Sequence, residues 1–449
     1  MNLPNKKAIK LDEIDSVLQF NAPLPGKEHP FYTDFTGLRG DFKEKKLYRT
    51  LNLNPSNLTY NFEANQFNKL KVFLAGMRGS GKTTELARIV EEIEHKDGFF
   101  CVVCNIDIEL NMDHVEYMDI LICQIENLIK KAQEKGLQLD KNVVKSLSKW
   151  FEERTLEINS SIEKSASIEI ELEGKWGLPW LLSLVGKLKG GVTGSKERAD
   201  SVRKVFRNRF VDFAQEFNIF VEDAARWLRD HSEARDILFI VDGLEKTTTA
   251  ERRREIIIEN AESIKSIRAN CLMTLPIELM KSIRQVKDYS EVVTFPFIKV
   301  QEIDGSDVEA TINRFVEFVY KRIDKSLFES EDVVKTAVRF SGGSPRELLR
   351  LLQHAGYELE DDDTQITMNA LMEAVKYLSA DARFLSEKEL TVLKEIRKNN
   401  KENKPTPFID GIEKLLEEIV VMEYNSGTYK RVNPIIAYSS IYQEYVGKD

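Results

Sequence analysis

The chain has 449 residues, 65 lysines and arginines against 74 aspartates and glutamates, a net charge of −9, and 42% hydrophobic residues. At ~100–200 residues per domain it holds about three domains, each able to bury a core without disulfides, and its acidic balance speaks against wholesale coating of nucleic acid. The four scattered cysteines are too few for a disulfide scaffold, the start has no apolar core of signal-peptide length, and no run reaches ~18 apolar residues, so a soluble cytoplasmic protein is expected.

Residues 1–60 read as an N-terminal arm. At 70–90, LKVFLAGMRGSGKTTELARIV, a β-rich apolar run leads into Gly76-x4-Gly81-Lys82-Thr83 and then a helical pattern. Strand, loop and helix follow in the order a phosphate-binding P-loop requires. Glycines let the loop turn its N–H groups around phosphate oxygens, and the helix N-terminus adds partial positive charge. The predicted nucleotide ligands are Gly76, Gly79, Ser80, Gly81, Lys82, Thr83 and Thr84. Lys82 would reach the β/γ-phosphates, and the Thr83 hydroxyl would hold Mg²⁺.

Cys101 and Cys104 lie in FFCVVCNID, a strand-like run where residues three apart point to opposite faces, so they read as core cysteines without zinc. The five histidines form no ligand spacing. Val115, Met118, Ile122, Ile125 and Ile129 recur at helical spacing, the mark of a helix packing on the sheet. An insertion follows over about 136–231, longer than a simple crossover needs. In it, Ile168, Ile170 and Leu172 alternate with glutamates as in a strand with one wet face, and Trp176, Leu178, Trp180, Leu181, Leu182, Leu184 and Val185 come next. Two readings stand for 166–192: a hairpin packed on the core or a partner subunit, or an amphipathic wedge at a membrane surface. Packing is preferred. Helix then returns the chain over 197–230.

In DILFIVDGLEK (236–246), Asp242 closes five apolar residues, a pattern of a strand buried on both faces. The C-terminal ends of such strands are where α/β ligands sit. Asp242 would hold the metal, and Glu245 would polarise an attacking water.

With these two motifs the chain resembles P-loop ATPases of the AAA+ and STAND classes, and in particular bacterial ATPases of the origin-recognition initiator type. The resemblance implies an α/β P-loop NTPase core with a parallel sheet over 61–304, a helical lid over 305–385 and a C-terminal winged helix-turn-helix over 386–449. It implies ATP and Mg²⁺ as ligands and a homo-oligomer or protein effector as partner. Two departures bear on hydrolysis. Lys246 stands where the STAND catalytic acid would be, and Gly243 where initiators place glutamate. Turnover is therefore slow or rests on Glu245, and a switch that mainly senses ATP is an alternative, as is a nucleotide-stabilised scaffold.

The same resemblance assigns further residues. Arg39 and Tyr32 of the arm would contact the base, though an ordinary packed arm explains them too. Thr274, in the strand-like NCLMTLP, stands where a polar sensor near the γ-phosphate would be. Arg346, in SGGSPRELLRLL, stands where a lid arginine reaches the γ-phosphate, yet Ser344-Pro345-Arg346-Glu347 also reads as a helix cap. Arg252, Arg253 and Arg254 are finger candidates or a solvated face, and none is assigned. Four helical patterns fill the lid. In the C-terminal part, 10 basic residues face 11 acidic ones, and the would-be recognition helix carries Asp410, Glu413, Glu417 and Glu418 against Lys414 alone. Carboxylates facing phosphates repel, so protein docking is preferred over DNA, with Lys430 and Arg431 keeping the DNA reading open. By resemblance such ATPases serve as regulators, replication-type loaders or anti-phage components; the residues do not choose among these.

Overall fold

The computed structural model describes residues 3–66, 68–162, 167–168, 177–285, 291–360 and 362–447. Its centre is a parallel five-stranded sheet in the order β2-β3-β4-β1-β5, where β1 is Lys71–Gly76, β2 Phe99–Asn105, β3 Asp236–Asp242, β4 Asn270–Pro276 and β5 Glu291–Thr294. Every residue of β1, β3 and β4 is buried, as a sheet covered on both faces requires. Alternation sorts the side chains. Phe73 and Ala75 enter the layer shared with Phe100, Val102 and Cys104, while Val72 and Leu74 enter the opposite layer with Cys101. Cys101 and Cys104 are thus free, buried and on opposite faces.

The helix Lys82–Ile93 covers one face through Leu86, Ile89 and Ile93. The predicted helix on the other face is Tyr117–Glu134, which buries Met118, Ile122, Ile125 and Ile129. Helices Lys141–Ser161, Leu178–Thr193, Lys196–Asn208 and Phe210–Asp230 extend that layer. Trp150, Phe206, Phe213 and Phe217 form a ring-to-ring chain in it that ends on Phe239 of β3.

The insertion corrects one expectation. Leu178–Thr193 is a helix, not half of a hairpin, and Trp180, Leu181, Leu184, Val185 and Leu188 form its buried stripe at helical spacing. The missed signal was that stripe, diluted by Gly186, Gly190 and Gly191. Ile170, Leu172 and Trp176 lie outside the described residues; Ile168 is buried and its backbone pairs with the side chain of Asn159. Because the apolar face of Leu178–Thr193 is covered by the chain's own core, that part offers no membrane wedge. Among the described residues, no helix is long and apolar enough to cross a membrane.

The arm is divided between two cores. Ala8, Ile14, Leu18, Phe31 and Phe35 pack into the lid, and Leu47, Tyr48, Leu51 and Tyr60 pack on the sheet. The region expected to be a lid consists of helices Glu309–Tyr320, Glu331–Phe340, Pro345–Tyr357 and Met368–Ser379. The last part has the expected order: helix Glu387–Lys401 with a Ser386/Glu389 capping box, short helix Ile412–Glu417, then the antiparallel strands β6 (Val421–Tyr424) and β7 (Tyr429–Val432). Its core is shared with the sheet domain, since Met77, Ile277 and Phe297 lie in the same cluster as Leu393, Leu415 and Tyr424.

Candidate nucleotide site

The loop between β1 and the helix Lys82–Ile93 turns through Gly79 at φ 81° and Gly81 at φ 92°, a region that favours glycine. Gly76 is fixed by crowding, because a β-carbon there would lie 2.5 Å from the Phe295 carbonyl oxygen. Ser80 is fully buried and its Oγ has no hydrogen-bond partner. Lys82 is 2% exposed; its Nζ donates to the carbonyls of Gly76 and Met77, each at 2.9 Å, and lies 3.4 Å from Glu245 Oε1.

Glu245 rides on the 3-10 turn Leu244–Lys246 that follows β3. Burial pushes its carboxyl up, and the Lys82 ammonium, a backbone hydrogen bond and the charge of Lys246 together reverse this, leaving it below the usual range. Asp242 moves the other way: burial and then the charge of Glu245 push it up, against the Thr83 hydroxyl that donates to it. Asp242 Oδ1 and Glu245 Oε2 are both buried without a hydrogen-bond partner. Orphaned buried oxygens of this kind are costly unless a ligand or cation completes them. The donor set is all oxygen and places Thr83 and Asp242 together, which suits Mg²⁺, an ion held by one or two protein groups and substrate phosphates.

A cavity of about 400 Å³ opens over the loop at the C-terminal ends of the strands. Its walls come from three directions: Phe20, Leu24 and Tyr32 of the arm, Lys82 and Thr83 of the P-loop, and Phe318, Arg346 and Leu349 of the lid. Larger grooves lie at the opposite end of the sheet and within the insertion, away from these groups. Four arginines, Arg39, Arg78, Arg322 and Arg346, line this cavity, and none forms an ion pair with a carboxylate among the described residues. Burial pushes Arg39 down to about 10 and Arg322 down to about 9. Arg39 is eased only in part by the charge of Glu85, and Arg322 by none, so a polyanion in the cavity would relieve both.

Each predicted residue can now be located. Arg39 lies over the Phe295 ring at 3.9 Å, donates to the Pro296 carbonyl and borders the cavity beside Gly81. Tyr32 lines it with its hydroxyl unpartnered. Thr84 Oγ1 accepts the Leu24 N–H at 3.2 Å, so it pins the arm to the P-loop helix. Arg346 packs its stem on Gly79 and its guanidinium donates to Asn21. Its helix is capped as predicted, with Ser344 Oγ accepting from Glu347 N–H and also donating to the Gly79 carbonyl. Thr274 is not among the cavity-lining residues; its Oγ1 accepts the Gly243 N–H at 3.2 Å, bracing the turn after Asp242.

Lys246 pairs with Asp107 at 2.5 Å. Sequence reasoning passed over Asp107, although it follows the end of β2 and lines the cavity; the position rule for parallel strands was the available signal. It also missed Arg78 and Arg322, for which no local pattern gave a sign. Arg252 pairs with Glu255, Arg254 donates to Ser282, and Arg253 is buried, so none of the three stands free as a finger.

Sheet, loop and paired acids define the P-loop NTPase fold of the α/β class. No protein-family model and no curated protein sequence matches the chain. Among solved structures it is similar to a Walker-type ATPase of Pyrococcus abyssi, at 14% identity over 94% of this chain and 98% of that one, with a TM-score of 0.42. It is similar to RuvB of Thermotoga maritima at 12% identity over 93% and 99%, TM-score 0.34, and to the ORC1 protein of Aeropyrum pernix in complex with DNA at 12% over 90% and 80%, TM-score 0.32. These likenesses are to a fold in outline, and the reading of the site rests on its own geometry.

Proposed function

We propose that the chain binds Mg·ATP at the P-loop, hydrolyses it through Glu245, and uses the nucleotide state to control the lid and C-terminal part, as an ATPase switch of the AAA+/STAND kind. The observation that carries this is the buried group of Lys82, Asp242 and Glu245, with two carboxylate oxygens unpartnered beneath a cavity walled by unpaired arginines. Lys82 exchanges the Gly76 and Met77 carbonyls for phosphate oxygens. Glu245, kept ionised by the Lys82 charge against the cost of its burial, orients a water and takes its proton as the oxygen attacks the γ-phosphorus and the bond to ADP breaks. Thr83 and Asp242 would hold Mg²⁺, which supplies charge neutralisation to the phosphates. Arg346 and Arg78 are cations at the mouth of the loop for the charge of the transferring group.

Protein docking, rather than DNA reading, suits the C-terminal part. Its short acidic helix is turned to the ATPase core, where Glu417 pairs with Arg253 and Glu413 with Lys281. The test is ATP turnover and particle size, with and without duplex DNA, for wild type and Lys82→Ala. Turnover lost in Lys82→Ala and indifferent to DNA supports the reading. Turnover that survives Lys82→Ala refutes the site, and stimulation by DNA replaces docking with an initiator-like function.

A further inference from the structure

Arg253 is 2% exposed and sits in the short helix Ala250–Arg254 that follows the Glu245 turn. Its flanking arginines bond at the surface, whereas Arg253 reaches three separate elements. Nη1 donates to the Thr247 carbonyl at 2.6 Å, Nε lies 2.6 Å from Glu278 Oε1 just after β4, and Nη2 pairs with Glu417 of the C-terminal acidic helix. Thr247 is the C-cap of the 3-10 turn that carries Glu245, and its hydroxyl also donates back to the Leu244 carbonyl. The opposite end of that turn is braced by Thr274 through the Gly243 N–H. A cavity of about 180 Å³, bordered by Arg78, Lys246, Thr247 and Glu417, lies alongside and leaves the turn room to move if released.

We infer that Arg253 is a positioning residue: it holds the Glu245 turn in register with Lys82, and Glu417 makes that register depend on docking of the C-terminal domain. The inference rests on the hydrolysis reading for its kinetic consequence. The planar guanidinium donates through Nη1 to Thr247 and through Nη2 to Glu417 while its charge pairs with Glu278, a fork that a lysine cannot reproduce. Loss of Glu417, by undocking of its helix, frees one side of that plane and loosens the grip on Thr247. The domain farthest along the chain thereby acts on the group that activates water.

The test compares wild type, Arg253→Ala, Arg253→Lys, Glu417→Ala and the double variant Arg253→Ala/Glu417→Ala. Three quantities are read: kcat for ATP, the affinity for a fluorescent ATP analogue, and hydrogen exchange at the Lys246 and Thr247 amides, which bond to Gly243 and Leu244. Expected for Arg253→Ala is a fall in kcat on the order of 10- to 100-fold with affinity held within about twofold, since ångström-scale misplacement costs that much. Arg253→Lys recovers part of it, Glu417→Ala falls less, and the double variant is no worse than Arg253→Ala because one network is broken once. Exchange at both amides quickens. Glu417 is 37% exposed, so its truncation leaves the fold intact even if Arg253→Ala does not fold. Wild-type kcat and wild-type exchange in Glu417→Ala overturn the inference. Should wild type fail to turn over ATP, the hydrolysis reading falls, and exchange alone decides: faster in Glu417→Ala supports the clamp, unchanged refutes it.

Discussion

The ammonium of Lys82 lies 3.4 Å from the carboxylate of Glu245, and both are buried. Each is the other's counter-ion in the absence of phosphate, so filling the site breaks one pair and forms another. Glu245→Gln is expected to retain ATP binding while lowering kcat by about 10²- to 10⁴-fold, the range for removing a general base. Lys82→Ala is expected to lose nucleotide affinity itself. Equilibrium binding alongside turnover separates the two, and equal losses of affinity in both variants would count against Glu245 as base.

Lid and P-loop touch at one glycine. A β-carbon on Gly79 would lie 3.0 Å from Arg346 Cβ, at a backbone φ of 81°. Gly79→Ala is expected to push Arg346 outward and raise KM for ATP, with a stability loss of about 1–2 kcal/mol from the left-handed backbone alone. Gly343→Ala, whose β-carbon would meet the Ile298 carbonyl oxygen at 1.6 Å, is expected instead to lower Tm or block folding. Melting curves and ATP titrations of the two variants distinguish a contact that serves the ligand from one that serves the fold.

Tyr424 Oη donates to the Gly342 carbonyl at 2.5 Å, linking β6 to the turn before the Arg346 helix. Tyr424→Phe leaves that carbonyl unmet and is expected to cost about 1 kcal/mol in urea unfolding. A change well below that would mean the carbonyl finds another donor.

Acid should loosen the C-terminal domain through Glu389. Its hydrogen bond with Lys414, together with those from Ser386, outweighs burial and holds the carboxyl down at about 2, from an ordinary 4.5. A depressed carboxyl contributes stability above the unfolded value and loses it as pH falls from 4.5 through about 2. Equilibrium unfolding at a series of pH values between those limits should show a steeper loss of stability with acid in wild type than in Glu389→Gln.

The legible parts of this protein were those written locally. Gly76 to Thr83 announce a loop because the steric need for glycine and the chemistry of Lys82 fall within eight neighbouring residues. The buried run ending at Asp242, the Ser386 cap and the lid helices are likewise periodic or punctuated. Arg322 is not legible, because what matters about it is which distant element it meets; Asp107 is signalled only by its place just after β2. Thr274 was placed at the right strand end but assigned to phosphate, where a single hydroxyl could equally brace a neighbouring turn. The helix Leu178–Thr193 escaped because three glycines blurred a stripe whose partners lie on Tyr117–Glu134 and on other insertion helices.

Met77 lies in the phosphate-binding loop, yet its side chain is a core residue of the C-terminal domain, where its sulfur accepts the Glu423 N–H. The boundary drawn near residue 385 is therefore a seam in the sequence only. A chain cut there would bare Met77, Ile277 and Phe297 beside the P-loop and lose the packing that holds the loop's first turn. Exchanging this domain for another would require the newcomer to bring its own socket for a methionine. The P-loop and the domain that covers it are, in packing terms, one unit.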